Sequence, residues 1–203
     1  MSVPQLFTVS GVPDTDLLTA AARLLRSGRL VAFPTETVYG LGADATNPSA
    51  IARLNQVKGR PPEKPYSLHL HSPEQVRALV STVPAAAAKL MERFWPGPLT
   101  IVLPSKEGAT VGFRLPDHPI AQAFLAACGV PVAAPSANRS GAPPPTDAQE
   151  VLTALDGELD ALIDGGPTRL GRESSVVEVT RDGRLEIHRE GAISADEIRS
   201  AIS

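Results

Sequence analysis

The sequence predicts a single-domain α/β fold in which helices flank a twisted sheet of mixed parallel and antiparallel strands. Helical and strand-like patterns alternate through much of the 203 residues, which is typical of strands joined by helical crossovers. In two places along the chain, one strand-like segment follows another after only a few residues. A parallel crossover needs a longer connection, so each of these pairs is expected to be antiparallel. The chain shows no repeat, linker or break in composition, so we expect one domain over residues 1–203.

The helix predictions rest on apolar spacing and on cap residues. Leucine and alanine recur at helical intervals from residue 14 to residue 26, with Asp14 or Thr15 as N-cap and Gly28 closing the end. A last helix has Ser194 as its cap. The predicted helices span residues 14–26, 48–57, 73–80, 84–94, 119–128, 146–155 and 194–202.

The strand predictions rest on short apolar runs bounded by turn residues. The first run ends at Pro34, which stops a strand, and the polar, glycine-bearing residues 35–42 are predicted as a loop. Asp182 and Gly183 form a turn dipeptide between two runs, which predicts a hairpin. The predicted strands span residues 30–33, 66–70, 99–103, 111–115, 130–134, 161–163, 176–179 and 185–188.

Composition excludes several classes of protein. A net charge of -3 and a pI near 5.8 argue against a wholly basic nucleic-acid surface, so any polyanion site must be local. Cys128 is the single cysteine, which excludes an internal disulfide and a cysteine-rich zinc site. The sequence has no membrane-length apolar run and no signal-peptide layout, so we expect a cytoplasmic protein without membrane contact.

Three loops gather polar and cationic side chains where open α/β sheets bind ligands. They span residues 34–42, 58–65 and 135–141. Lys58, Arg60 and Lys64 suit a phosphate or a carboxylate, although a solvated surface loop has the same pattern. Ser136 and Asn138 fit an anion cradle or a plain Asx turn. Common phosphate-loop, dinucleotide, hydrolase and zincin motifs are missing, so residue chemistry alone indicates an anion-binding α/β domain.

Five motifs occur in order over nearly the whole chain: residues 34–42 (PTETVYGLG), 58–61 (KGRP), 94–100 (FWPGPLT), 114–119 (RLPDHP) and 135–141 (PSANRSG). Together they resemble the motifs of the YrdC-domain family, the L-threonylcarbamoyladenylate synthases. Residues 174–177 (SSVV) and 189–191 (REG) resemble two further segments of that family. The resemblance implies a YrdC-like fold in the short, single-domain form.

The resemblance also implies an activity and partners. Members join L-threonine, bicarbonate or carbon dioxide, and ATP into threonylcarbamoyl-AMP and pyrophosphate. Other proteins then transfer the threonylcarbamoyl group to an adenosine of tRNA, and direct contact with double-stranded tRNA is a further expectation. Mg²⁺ is expected to be bound mainly through ATP, with no metal site built by the protein.

Site residues follow from the resemblance, position by position. Phosphate and carbamate would be bound by Lys58, Arg60, Ser136 and Asn138. Threonine would be bound by Thr35, His69, Arg114, the Ala134 backbone and Ser174, with Ser175 as the alternative serine. ATP would lie against Arg60, Lys64, Thr110, Ser136, Pro144 and Arg189. His69 gains this role only through the resemblance, because a lone strand histidine is otherwise interpreted as structural.

Some positions depart from the family pattern. Tyr66 and Ser67 stand where an aliphatic pair is more usual, and Lys64 stands where asparagine is common. Two other functions are compatible with the fold: a carbamoyl-phosphate enzyme or YciO-like paralogue, and a non-catalytic RNA-binding module. The first would not use threonine with ATP, and the second would show RNA affinity that falls steeply with salt.

Overall fold

A computed structural model describes residues 3–60 and 65–203. Its strands are β1 (Gln5–Thr8), β2 (Val31–Phe33), β3 (Gly40–Asp44), β4 (Leu68–His69), β5 (Leu99–Pro104), β6 (Thr110–Arg114), β7 (Val132–Ala133), β8 (Ala161–Asp164), β9 (Ser175–Val179) and β10 (Leu185–Arg189). Its helices are α1 (Thr15–Arg26), α2 (Pro48–Lys58), α3 (Glu74–Leu79), α4 (Ala85–Phe94), α5 (Pro119–Cys128), α6 (Ala148–Ala154) and α7 (Ala195–Ser200). In these two ranges, no helix is long and apolar enough to cross a membrane.

Within the described residues, the strands form one ten-stranded sheet in the order β1-β8-β2-β3-β7-β4-β6-β5-β9-β10. The pairs β1–β8, β2–β8, β4–β6 and β5–β9 are parallel, and the other neighbours are antiparallel. The predicted mixed α/β sheet with flanking helices is therefore confirmed.

Alternation along β2 shows why both faces of the first half of the sheet are covered. Val31 and Phe33 pack with the apolar faces of α1 and α5. Leu30 and Ala32 point the other way, into a cluster with α2 and α6. Because successive strand residues face opposite sides, a fully apolar run requires helices on both faces.

The second half of the sheet has a helix-covered face and a polar face. Leu99, Ile101 and Leu103 of β5 pack into a core with α3, α4 and α7. Thr100 and Val102 alternate with them and line a cleft on the opposite face. The alternation along this strand therefore separates the core from the candidate site.

Two strands were not predicted from the sequence. Residues 35–42 were predicted as a loop, but Gly40–Asp44 forms β3 between β2 and β7. A Cβ at Gly42 would lie 3.2 Å from both Leu25 and Phe33, so glycine lets β3 pass close to these side chains. The other missed strand, Gln5–Thr8, lies at the sheet edge and buries only Phe7, which leaves too weak an apolar pattern.

The predicted caps and hairpin are confirmed. Asp14 caps α1 and accepts hydrogen bonds from the amides of Asp16 at 3.0 Å and Leu17 at 3.1 Å. Ser194 and Glu197 form a capping box at α7. Asp182 and Gly183 lie in the turn between β9 and β10, which pair as an antiparallel hairpin.

Candidate active site

A cleft of about 510 Å³ opens over the polar face of β4, β6, β5 and β9. The predicted site residues that line it are Lys58, Arg60, His69, Thr110, Arg114, Ala134, Ser136, Asn138, Pro144, Ser174 and Arg189. Thr35 does not line the cleft, and Lys64 lies outside the described residues. The structure thus brings residues from six separate chain segments into one place.

Lys58 lies at one wall of the cleft as the last residue of α2. Gly59 ends the helix in a left-handed conformation (φ 60°), which turns the chain toward Arg60. The Lys58 ammonium donates hydrogen bonds to the Ser136 carbonyl at 2.6 Å, to Asn138 Oδ1 at 3.2 Å, and to the Asn138 carbonyl. Burial, and then the Arg60 cation, lower the pKa of Lys58 to about 8.

The loop that follows β7 is held in place by backbone bonds to β3 and its flank. Ser136 forms an antiparallel bridge with Gly40, and the Leu41 amide donates to the Pro135 carbonyl at 2.8 Å. Inside the loop, Asn138 Nδ2 donates to the Ala142 carbonyl at 2.5 Å. Lys58 therefore faces acceptors whose positions are set by the sheet.

His69 and Arg114 lie side by side on the cleft floor, because β4 and β6 pair in parallel with these residues in register. His69 Nδ1 is buried and has no hydrogen-bond partner in the described part of the chain. Burial, and then the Arg114 cation, lower the pKa of His69 to about 3, so its imidazole is neutral at pH 7. A buried cation beside an unpartnered neutral imidazole is suited to a ligand with a carboxylate and a hydrogen-bond donor.

Residues 35–37 support Arg114 from below the cleft. Arg114 Nη2 donates to Thr37 Oγ1 at 2.6 Å and lies 3.0 Å from Glu36 Oε1. Thr35 Oγ1 in turn lies 2.8 Å from Thr37 Oγ1 and donates to the Val38 carbonyl at 2.7 Å. Thr35 thus does not contact the cleft itself, but it holds Thr37, which in turn accepts a hydrogen bond from Arg114.

The two candidate serines have different surroundings. Ser174 lines the cleft, and its hydroxyl lies 3.0 Å from Thr100 Oγ1. Ser175 is fully buried, donates to the Ile193 carbonyl at 2.5 Å and accepts from the Gly191 amide at 2.8 Å. Ser174 is therefore the serine whose position suits ligand contact.

Arg189 reaches the cleft from the edge strand β10. Its Nε and Nη2 donate to the Ser174 carbonyl at 3.1 and 2.9 Å, and Nη1 lies 3.0 Å from a Glu173 carboxylate oxygen. Glu173 is the one carboxylate among the described lining residues, which include four lysine or arginine side chains. The balance of charge favours an anionic ligand.

Metal-ligating side chains are sparse in the part of the chain that the structure describes. It contains no group of three or more His, Cys, Asp or Glu that could hold a metal ion. Within that part, Glu173 is the one carboxylate that a divalent cation in the cleft would meet. The chain's residues thus fit a cation that arrives with most of its oxygen ligands on a bound phosphate chain.

Several lining residues were not predicted from the sequence. They include Val38, Ser67, Thr100, Val102, Gly112, Glu173 and Val176. Strand alternation is the signal that indicates three of them, since Thr100 and Val102 alternate with core residues and Thr100 pairs with Val176. Glu173 precedes the serine pair and carries no such signal.

Comparisons with known proteins give consistent results. A family model named Sua5/YciO/YrdC and described as "Telomere recombination" matches residues 23–191. The threonylcarbamoyl-AMP synthase of Bacillus subtilis (strain 168) is 44% identical over 195 residues, covering 91% of this chain and 56% of the relative. The chain thus spans about half the length of this curated relative.

Two solved structures resemble the whole described fold. Pyrococcus abyssi Sua5 complexed with L-threonine has a TM-score of 0.91 and 41% identity, and the match covers 97% of this chain and 60% of that chain. Escherichia coli YciO has a TM-score of 0.86 and 27% identity, covering 97% of this chain and 100% of that chain. The mixed open sheet is therefore shared with both.

Proposed function

The chain belongs to the Sua5/YciO/YrdC family, as its motifs predicted, and on that premise we propose that it is an L-threonylcarbamoyladenylate synthase. Its substrates would be L-threonine, bicarbonate or carbon dioxide, and ATP, and its products threonylcarbamoyl-AMP and pyrophosphate. The observation that carries the proposal is that one cleft holds both the buried polar pair His69 and Arg114 and the cations Lys58 and Arg60.

The threonine end of the cleft is supported by its polarity. Arg114 is a natural partner for the amino-acid carboxylate, since a guanidinium can form two parallel hydrogen bonds with it. The neutral His69 imidazole and the Ser174 hydroxyl supply nearby polar contacts. A solved relative with the same fold is complexed with L-threonine, which supports a threonine site in this chain.

The first chemical step consumes the threonine amine. The deprotonated amine attacks carbon dioxide, a C–N bond forms, and the released proton leaves to solvent. The product is a carbamate anion, which must then approach the anionic phosphates of ATP. Lys58, Arg60 and Arg189 surround that approach with positive charge.

The second step transfers the adenylyl group. A carbamate oxygen attacks the α-phosphorus, the bond to the bridging oxygen breaks, and pyrophosphate leaves with the electron pair. Lys58, fixed by Ser136 and Asn138, stabilises the charge that develops on the phosphoryl oxygens. Arg60, Thr110, Pro144 and Arg189 would contact ATP, as would Lys64.

Mg²⁺ bound to the triphosphate would neutralise the charge of the leaving pyrophosphate. Within the described cleft, Glu173 is the carboxylate that could add to its ligands. We further propose that residues 1–203 form one catalytic domain, and that its product passes to proteins that modify a tRNA adenosine.

Pyrophosphate release tests the proposal. Purified protein with ATP, Mg²⁺ and bicarbonate should release pyrophosphate with L-threonine and much less with L-serine. Lys58→Ala should lower kcat/KM by roughly 100-fold to 1,000-fold, as loss of one oxyanion donor does. Lys89→Ala is the matched control, because Lys89 lies on α4 outside the cleft and its ammonium donates hydrogen bonds to the carbonyls of residues 202 and 203.

Two outcomes would overturn the proposal. Turnover that needs carbamoyl phosphate and ignores threonine would favour the carbamoyl-phosphate enzyme. Salt-dependent RNA binding without pyrophosphate release would favour the RNA-binding module.

A further inference from the structure

Tyr66 stands at a position where the motif pattern has an aliphatic residue, and it lies against a residue of the candidate site. Its ring centroid is 4.7 Å from the Arg60 guanidinium carbon, which places the cation over the ring face. The ring also packs against the core cluster that holds α2 and α6. The platform under Arg60 is thus fixed by the core.

Arg60 needs such a platform when the cleft contains no anion. Lys58 and Arg60 are like charges near each other, and the Arg60 cation is one cause of the lowered pKa of Lys58. Repulsion between them favours conformers in which the arginine turns to solvent. Among the described residues, one hydrogen bond opposes this, from Arg60 Nη2 to the Pro65 carbonyl at 3.0 Å, and the buried Arg60 Nε has no partner there.

The Tyr66 hydroxyl adds nothing to this contact. It is buried and has no hydrogen-bond partner among the residues that the structure describes. The ring face is therefore the useful part of the side chain, and phenylalanine should replace tyrosine without loss.

We propose that Tyr66 is a positioning residue that holds the Arg60 guanidinium at the cleft wall before ATP binds. The inference rests on the proposed function, since it assigns Arg60 to the phosphates. Pre-organised cations bind an anion without first losing side-chain freedom, so the contact acts on ATP and not on threonine.

Steady-state kinetics test the assignment. Tyr66→Leu and Tyr66→Met should raise KM for ATP roughly threefold to tenfold, as loss of a partly desolvated cation–π contact does. KM for L-threonine should not change, and Tyr66→Phe should match the unmodified protein. An unchanged KM for ATP in both aliphatic variants, or an equal rise in both KM values, would overturn the proposal.

A matched control separates positioning from packing. Arg93 lies 5.3 Å from the Phe94 ring on α4, outside the cleft, so Phe94→Leu removes an aromatic–arginine contact far from the candidate site. It should leave both KM values unchanged. A rise in KM for ATP with Phe94→Leu as large as that with Tyr66→Leu would contradict a local effect.

An NMR measurement distinguishes failure of this inference from failure of the proposed function. The Arg60 side-chain Nε–Hε signal, assigned with Arg60→Lys, should carry a ring-current shift that Tyr66→Phe keeps and Tyr66→Leu abolishes. This result requires no turnover. A protein without threonine-dependent activity but with the shift would refute only the proposed function, and an Arg60 signal unaffected by Tyr66→Leu would refute the positioning role.

Discussion

Arg114 and Glu36 form an ion pair that lies almost entirely out of solvent, with side-chain exposures of 6% and 1%. Among the described residues, neither carboxylate oxygen of Glu36 has a hydrogen-bond partner, so the arginine charge is the main compensation for burying this carboxylate. Glu36→Gln should lower the free energy of unfolding by about 3–5 kcal/mol, because it leaves a buried guanidinium without its counter-charge. Urea denaturation would measure the loss.

A surface pair provides the contrast for that prediction. Arg184 and Asp182 form an ion pair with side-chain exposures of 82% and 60%. Exposed pairs are screened by water, so Arg184→Gln should leave the urea midpoint nearly unchanged. Equal destabilisation by the two substitutions would contradict the importance of burial.

Lys58 gives the cleft a pH dependence. Its pKa is lowered to about 8, first by burial and then by Arg60, so the ammonium loses its proton as pH rises through that value. ATP affinity, measured by calorimetry without threonine from about pH 7 to about pH 9.5, should therefore fall above pH 8. Below that pH, Lys58 stays charged and the affinity should level off.

The control is Lys58→Arg, whose guanidinium keeps its charge over this range. Its ATP affinity should show no fall centred near pH 8, whatever its absolute value. A fall of the same size in this variant would assign the titration to another group.

At the scale of elements, β6 and the segment before β4 pack closely at the cleft floor. A Cβ at Gly112 would lie 2.5 Å from Ser67 Oγ and 3.2 Å from Ser67 Cβ. Gly112→Ala should therefore destabilise the protein by about 1–3 kcal/mol through overpacking. Thermal and urea unfolding would measure the effect.

Adding Ser67→Ala to the Gly112→Ala variant should recover most of the lost stability, because it removes Ser67 Oγ, the closer of the two Ser67 atoms. Ser67→Ala alone should have little effect, since the serine hydroxyl has no hydrogen bond among the described residues. If the effects of the two substitutions on the free energy of unfolding are purely additive, the contact with Ser67 is not the cause of the destabilisation by Gly112→Ala.

Local pattern predicted the elements that carry a strong apolar period or a cap. α1 shows both, and its N-cap is Asp14, one of the two residues that the sequence offered. β3 has neither of these signals. Its glycines are required by the close approach of the Leu25 and Phe33 side chains, which lie on other elements of the fold. A strand whose glycines are required by packing against other elements therefore cannot be predicted from local propensity.

At the scale of the whole molecule, motif order predicted which residues gather in the cleft but not how they are supported. Lys58 and Asn138 were both predicted, yet their hydrogen bond across 80 residues follows only from the fold. Glu36 and Thr37 belong to one of the motifs, but their contacts with Arg114, which for Thr37 span 77 residues, follow only from the fold. Long-range contacts of this kind leave no signal in a single sequence.

The sheet has a narrow central link. β7 and β4, each two residues long, join a half of four strands to a second half that carries Arg114 and Arg189. Because only two residue pairs join each strand of this link to its neighbours, we expect it to resist bending less than the longer strands on either side. A ligand that contacts both the Ser136 loop and β6 would connect the two halves across the cleft, and we expect it to reduce such bending.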